Sequence, residues 1–309
     1  MKGMILAAGL GTRLEPLSRI RPKPLFPVLN RPLLAIAIEQ LRGMGASHVV
    51  INAHHLAAQV EEFVQQGAWG KAVTVKVEAE ILGTGGGIKN CADELRDAPF
   101  CIVVNGDIYH TFDLLPAVRY HTEMNNLATL ILCDDSRFNQ VGIDAEGKVV
   151  TIRKRKVLGS QPPVAILTFT GIHIISPRLF DLMPHAGAFD IMTCYLGLAA
   201  SGEQVRGYPM RTGYWQDMGQ IESYQALHRE LLHGAGSVVH PAAHLEPGVM
   251  MEGFVCVGKG SRIEHGTSLK DTVIWDDCVI EQGSRIEGCI VADGARVTGE
   301  HREEALIPG

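Results

Sequence analysis

Short, nearly uninterrupted apolar runs alternate with helix-spaced amphipathic stretches through the first two thirds of the chain. Lys2 to Ala8 is one such run, closed by Gly9, and similar runs occupy His48 to Asn52, Val73 to Val77, Phe100 to Val104, Leu127 to Cys133 and Ala165 to Ile175. Continuous rather than alternating hydrophobicity predicts strands of a parallel sheet buried on both faces. Pro32 to Met44, Leu56 to Gln66 and Phe112 to Glu123 carry apolar residues at helical spacing, the first with a proline just inside its start. Strand and helix in alternation predict an α/β fold with a mostly parallel sheet. Ligands bind such sheets beyond the carboxyl ends of the strands, so Gly9 to Arg13 and Asn105 to Asp107 fall where a site is expected.

After a helix predicted around Gln220 to Leu232, apolar residues recur every six positions instead of every three or four. The series runs Val239, Leu245, Met251, Val257, Ile263 and Leu269. A five-residue step leads to Ile274, Ile280 and Ile286, and another to Val291 and Val297. A period of six with small residues between predicts a parallel β-helix of about three coils. Residues 1–232 are thus expected to form one domain, 233–300 a solenoid, and 301–309 a loosely held tail.

Composition narrows the partners more than the fold. A net charge of −6 speaks against nucleic acid or an anionic membrane as the main partner. No apolar run approaches the roughly 20 residues of a membrane span. The N-terminus turns to glycine and charge too soon for a signal peptide, so a cytoplasmic protein with a small-molecule partner is expected. Cys91, Cys101, Cys133, Cys194, Cys256, Cys278 and Cys289 are scattered without C-x-x-C spacing and read as reduced, mostly buried thiols.

The first chemical constellation is Gly9-Leu10-Gly11-Thr12-Arg13, with Lys23 following inside Arg21-Pro22-Lys23-Pro24. Glycines after a strand let backbone N–H groups approach phosphate oxygens, and an arginine and a lysine neutralise their charge, so a polyphosphate suits the loop. Leu14 stands where a dinucleotide fingerprint has its third glycine, and no G-x-x-x-x-G-K-[ST] occurs. Taken alone, Gly-x-Gly after a strand is equally an ordinary tight turn.

A-A-G-x-G-T-R-L followed by P-K-P-L resembles the nucleotide-binding loop of the sugar-1-phosphate nucleotidyltransferases. Leu82-Gly83-Thr84-Gly85 resembles the family's nucleoside-contacting segment, Val104-Asn105-Gly106-Asp107 its metal-binding strand end, and Trp215-Gln216-Asp217-Met218-Gly219 its W-x-D-x-G motif. Thr168 to Ile172 resembles the strand that faces the sugar. The resemblance covers residues 1 to 232, and four motifs in order are far more specific than any one.

It implies a Rossmann-like catalytic domain followed by a short left-handed parallel β-helix. It also implies catalytic roles for Arg13 and Lys23, and nucleotide binding by Leu6, Ala7, Ala8, Gly9, Gly11, Thr12, Gly83, Thr84 and Gly85. Asn105, Gly106, Thr170 and Gly171 would meet the sugar phosphate, and Asp107 and Asp217 would hold Mg²⁺. The implied substrates are a nucleoside triphosphate and a sugar 1-phosphate. The mannose-1-phosphate guanylyltransferase-like and N-acetylmuramate-1-phosphate uridylyltransferase-like branches are the most similar.

Each residue also has a plainer reading: a helix cap or turn for either aspartate, a solvated loop charge for Lys23, aromatic packing for Tyr214 and Trp215. The run Arg153 to Lys156 suits either a sugar phosphate or solvent. Glu80 precedes the glycine segment, but the sequence there departs from the family's E-x-P-L. His54, His55, His240 and His244 read as surface or packing residues. Two other functions are open: a non-catalytic sensor of sugar nucleotides, and a second, acyltransferase activity in the solenoid with His265 as base. The plainer use of the solenoid is homo-oligomeric assembly.

Overall fold

The computed structural model describes residues 1–309. By packing, the chain separates into two compact units, residues 1–9 with 36–215, and residues 10–35 with 216–309.

The first unit is built on a ten-stranded sheet. Its middle is β1 (Lys2–Ala7), flanked in parallel by β2 (Val49–Ala53) and β4 (Cys101–Asn105), with β3 (Val73–Val77) outside β2. These strands are the predicted apolar runs, shifted by one residue at some ends. The 11-residue β8 (Ala165–Ile175) runs antiparallel to β4 and to β5 (Ala128–Cys133), and β9 (Val205–Pro209) adds in parallel to β5. The hairpin β6 (Val141–Ile143) and β7 (Val149–Ile152) extends the other edge through β6 against β8. The mixed sheet is therefore parallel at its centre, as predicted, and antiparallel where β8 returns.

Helices α1 (Leu33–Gly43), α2 (Ala57–Gln66) and α4 (Leu115–Glu123) match the amphipathic stretches. α3 (Gly83–Asn90) and α5 (Ile191–Ala200) were not predicted, the first because it begins with four glycines among five residues. Asp190 caps α5, its side chain accepting from the N–H of Thr193 at 2.8 Å. Met4, Val103, Leu130, Ile175, Phe180 and Tyr195 lie in the core of this unit, all with no exposed surface.

In the second unit the six-residue series becomes three columns of stacked side chains. Leu245, Ile263, Ile280 and Val297 stand side by side on successive parallel strands. Val239, Val257, Ile274 and Val291 form the second column, and Met251, Leu269 and Ile286 the third. The two five-residue steps shift the count without breaking the columns. Residues 301–309, expected as a loose tail, instead continue two columns, with His301 beside Ile286 and Leu306 beside Val291. Unpaired strand edges at the last turn explain why: the tail satisfies their backbone groups. α6 (Ile221–Leu231) belongs to this unit.

Both units bury histidines, His110, His121 and His173 in the first and His228 in the second. His173 is buried, its Nδ1 meets the Tyr195 hydroxyl, and burial pushes it down to about 3. His228 is equally buried and pushed down by burial to about 4; its Nδ1 lies 3.0 Å from the Tyr224 carbonyl and its Nε2 accepts from the N–H of Leu29.

Ile280→Ala empties a filled column and should cost about 2–5 kcal/mol in urea unfolding. Leu158→Ala, at a side chain left 93% exposed, should change stability by less than about 0.5 kcal/mol. His173 and His228, with His110 and His121, which burial pushes down to about 4, bind protons more readily unfolded than folded. Their stabilisation is complete above about pH 6.5 and is lost as pH falls towards 4. Asp293, raised by burial, works in the opposite sense. Unfolding free energy should therefore decline between pH 6.5 and 4.5, and His228→Gln should flatten the slope.

Candidate active site

At the carboxyl edge of the first unit's sheet, Leu6 stands between Asn52 and Asn105 on the neighbouring strands. Asn52 Oδ1 accepts from the N–H of Ala7 at 2.9 Å, and its Nδ2 donates to Glu78 Oε1 at 2.8 Å. Glu78 Oε2 accepts from the N–H of Leu82 at 3.1 Å. Asn52 and Glu78 thus tie the end of β1 to the start of the glycine segment, and both are buried. Sequence reasoning passed over both and weighed Glu80, which is exposed. The available signals were one polar residue within Val49-Val50-Ile51-Asn52-Ala53 and an acid directly after a strand.

Beyond β4, the N–H of Gly106 donates to the Leu6 carbonyl at 2.8 Å. A Cβ on Gly106 would lie 2.9 Å from that oxygen, so only glycine allows this approach. Gly171 has φ +78°, and a Cβ there would stand 2.7 Å from the Asn105 amide nitrogen, so Asn105 lies directly over it. The Trp215 indole N–H donates to the Thr170 carbonyl at 2.9 Å. Asn105, Gly106, Asp107, Thr170, Gly171 and Trp215 therefore cluster at one edge. The Thr170 hydroxyl is fully buried and donates to the Ile131 carbonyl, so it is the Thr170 backbone that faces this cluster. Tyr214 and Trp215, with Phe112, Asp134, Asp135 and Arg211, also line a cleft of about 570 Å³.

Gly83, Thr84 and Gly85 open a helix rather than a loop. The glycines admit the segment before α5: a Cβ on Gly85 would fall 2.2 Å from the Phe189 ring, and one on Gly86 2.6 Å from the Gly187 carbonyl. The N–H of Gly85 donates to the Phe189 carbonyl, and Thr84 Oγ1 accepts from the N–H of Ile191. These N–H and hydroxyl groups serve internal packing; the exposed part of the run is Gly83.

In the second unit Gly11 is left-handed, φ +68°, and starts the short turn Thr12–Leu14. A Cβ on Gly11 would meet Ser18 at 3.1 Å and the Lys23 Cβ at 3.9 Å, so the loop glycine and Lys23 are neighbours. Thr12 and Arg13 are exposed, whereas Lys23 is 8% exposed. Asp217 Oδ1 accepts from the N–H of Gly219. A Cβ on Gly219 would stand 2.5 Å from Asp217 Oδ1 and 2.9 Å from Arg13 Nη2. Arg13 and Asp217, some two hundred residues apart, converge on one glycine.

No group of three or more His, Cys, Asp or Glu side chains is gathered. Asp107, in the first unit, and Asp217, in the second, each carry hard oxygen donors of the kind Mg²⁺ prefers. Arg153, at a hairpin turn, is paired with Asp190 at 3.3 Å, and Lys154 to Lys156 are exposed. All seven cysteines are free, and burial pushes Cys91, Cys101, Cys256 and Cys278 up to about 12, which leaves them poor nucleophiles. No helix is long and apolar enough to cross a membrane.

Residues 2–234 match the family model described as nucleotidyl transferase. The mannose-1-phosphate guanylyltransferase of Mycobacterium tuberculosis is 30% identical over 92% of this chain and 82% of its own. The UTP–glucose-1-phosphate uridylyltransferase of Synechocystis is 28% identical over 96% of this chain and 84% of its own. Among solved structures, HddC from Yersinia pseudotuberculosis, also solved with GMP-PN, superposes with a TM-score of 0.61 at 25% identity, over 74% of this chain and 99% of that one. The chain belongs to the nucleotidyl transferase family, in its sugar-1-phosphate branch.

Proposed function

We propose that the chain joins a nucleoside triphosphate to a sugar 1-phosphate, giving a nucleoside diphosphate sugar and pyrophosphate. The observation that carries this is the family match over residues 2–234 together with the convergence of Arg13 and Asp217 on Gly219. A phosphate oxygen of the sugar 1-phosphate attacks the α-phosphorus. The bond from the α-phosphorus to the bridging oxygen breaks, and pyrophosphate leaves with that electron pair. The nucleophile is already anionic, so no covalent enzyme intermediate is needed.

The nucleotide occupies Leu6 to Gly9, Gly11 and Thr12, with Gly83 to Gly85 beside the nucleoside. Asn105, Gly106, Thr170 and Gly171 receive the sugar phosphate through backbone groups and the Asn105 amide. Asp107 and Asp217 would hold Mg²⁺, which would supply charge neutralisation at the α-phosphate. Arg13 and Lys23 stabilise the charge that develops on the departing pyrophosphate. Residues 1–232 carry this chemistry. Residues 233–300, continued by 301–309, form a hexapeptide-repeat, left-handed β-helix that serves assembly of a homo-oligomer, and the protein works in the cytoplasm. The relatives' names put GTP and UTP, with mannose and glucose 1-phosphates, first among the pairs to try.

The test is pyrophosphate release with Mg²⁺ across five nucleoside triphosphates against mannose, glucose, N-acetylglucosamine, N-acetylmuramate and heptose 1-phosphates. One pair should stand out. Asp107→Ala and Asp217→Ala should abolish its turnover while remaining folded, and Arg13→Ala should lower kcat by about 10²–10³-fold. Silence across the grid from protein that still binds nucleotide would point to the sensor reading. His265, exposed and with its Nδ1 2.6 Å from the Pro247 carbonyl, tests the second activity. His265→Ala should leave pyrophosphate release unchanged, and the wild-type chain should not consume acetyl-CoA.

A further inference from the structure

The segment Leu10 to Ala35 packs as one unit with the six-residue-period strands. Its strongest tie is Arg21, two residues before Lys23. Arg21 Nε donates to Asp293 Oδ2 at 2.8 Å, and Nη2 donates to Asp293 Oδ1 at 2.7 Å and to Asp276 Oδ2 at 3.0 Å. The guanidinium also lies over the Trp275 ring, 5.3 Å from its centroid, and the arginine side chain keeps only 16% of its exposure. A two-pronged carboxylate pair over an aromatic face fixes a guanidinium in both position and plane.

The backbone beyond Arg21 is equally constrained. Pro22 and Pro24 flank Lys23, the N–H of Leu25 donates to the Pro22 carbonyl, and that of Phe26 to the Lys23 carbonyl. Phe26 packs edge-on against Trp275 with centroids 4.7 Å apart. The Tyr224 hydroxyl donates to the Pro27 carbonyl and accepts from the Trp275 indole N–H. Lys23 is thus held from both sides, by Arg21 on Asp276 and Asp293 and by Phe26 on Trp275.

We propose that Arg21 is a positioning residue for nucleotidyl transfer: anchored on Asp293 and Asp276, it fixes the backbone that presents Lys23, making the solenoid part of the catalytic apparatus. The inference rests on the reaction proposed above and on Lys23's part in it. Displacing a charge-stabilising group by about an ångström lowers the rate of the chemical step more than it weakens substrate binding.

The experiment compares kcat and KM for pyrophosphate release, with thermal melts, in the wild-type chain, Arg21→Ala, Arg21→Lys, Asp293→Asn and the Arg21→Ala/Asp293→Asn double variant. Arg21→Ala should lower kcat about 10- to 100-fold with KM for the sugar 1-phosphate within about twofold. Arg21→Lys, which keeps the charge but loses the fork, should recover part of the loss. Asp293→Asn, 272 residues away in sequence, should reproduce much of it, and the double variant should be no worse than Arg21→Ala. Wild-type kcat in folded Arg21→Ala overturns the proposal, as does a loss that follows melting temperature and disappears on cooling. If Arg21→Ala does not fold, Arg21→Lys and Asp293→Asn decide by the same criterion. A wild-type chain without turnover on any pair overturns the reaction on which the inference stands, and a loss confined to the variants cannot be mistaken for that.

Discussion

The first unit depends on one constraint: β1 is buried on both faces between two parallel neighbours, so it can meet polar ligands only where it leaves the sheet. Met4 and Ile5 have no exposed surface, and their strand neighbours Val50, Val103, Ile51 and Val104 are apolar. At Leu6 both neighbours become asparagines, Asn52 and Asn105. From that line onward the sheet presents N–H groups, amides and carboxylates. The placement of Gly9, Gly106 and Asp107 at one edge is a consequence of parallel register, and the chemistry available there follows from the sheet's direction.

Close packing explains most of the glycines of α3. Glycine inside a helix costs roughly 1 kcal/mol relative to alanine, so a run of them needs an offsetting gain. Here a Cβ at Gly85, Gly86 or Gly87 would overlap the Phe189 ring, the Gly187 carbonyl or the Asn52–Glu78 pair. Removing the Cβ brings the α5 approach and the strand-end carboxylate against the helix at once. Gly83, left-handed at φ +67°, is the one glycine of the run that is exposed.

Much of this was legible in the residues. Continuous apolar runs named the strands because burial on both faces leaves no room for alternation, and β8 was read to its exact bounds, Ala165–Ile175. The three side-chain columns were legible because a fixed coil length repeats the same hydrophobic demand. The antiparallel return of β8 was not, since strand direction leaves no mark on a short apolar run. Helix α3 was hidden by its glycines, and the 301–309 strands by their polar composition. Arg13, Lys23, Asp107 and Asp217 were singled out through motif. Asn52, Glu78 and Arg21's anchorage were missed because their meaning lies in partners distant in sequence.

The anchorage of Arg21 shows what a repeating coil supplies that an ordinary loop cannot. The Arg13–Lys23 segment consists of short turns with prolines that remove backbone donors, so it cannot hold its own shape. Asp276 and Asp293 are 17 residues apart and occupy the same place on adjacent turns, where the N–H of Asp276 donates to Asp293 Oδ1 at 3.0 Å. The same ladder recurs one turn earlier, where the N–H of Lys259 donates to Asp276 Oδ1 at 2.8 Å. Strands about 4.8 Å apart set these carboxylates at a spacing a single guanidinium can bridge. The regularity that fills the solenoid's core thus also places its surface charges, and the segment bearing Lys23 takes its shape from that lattice.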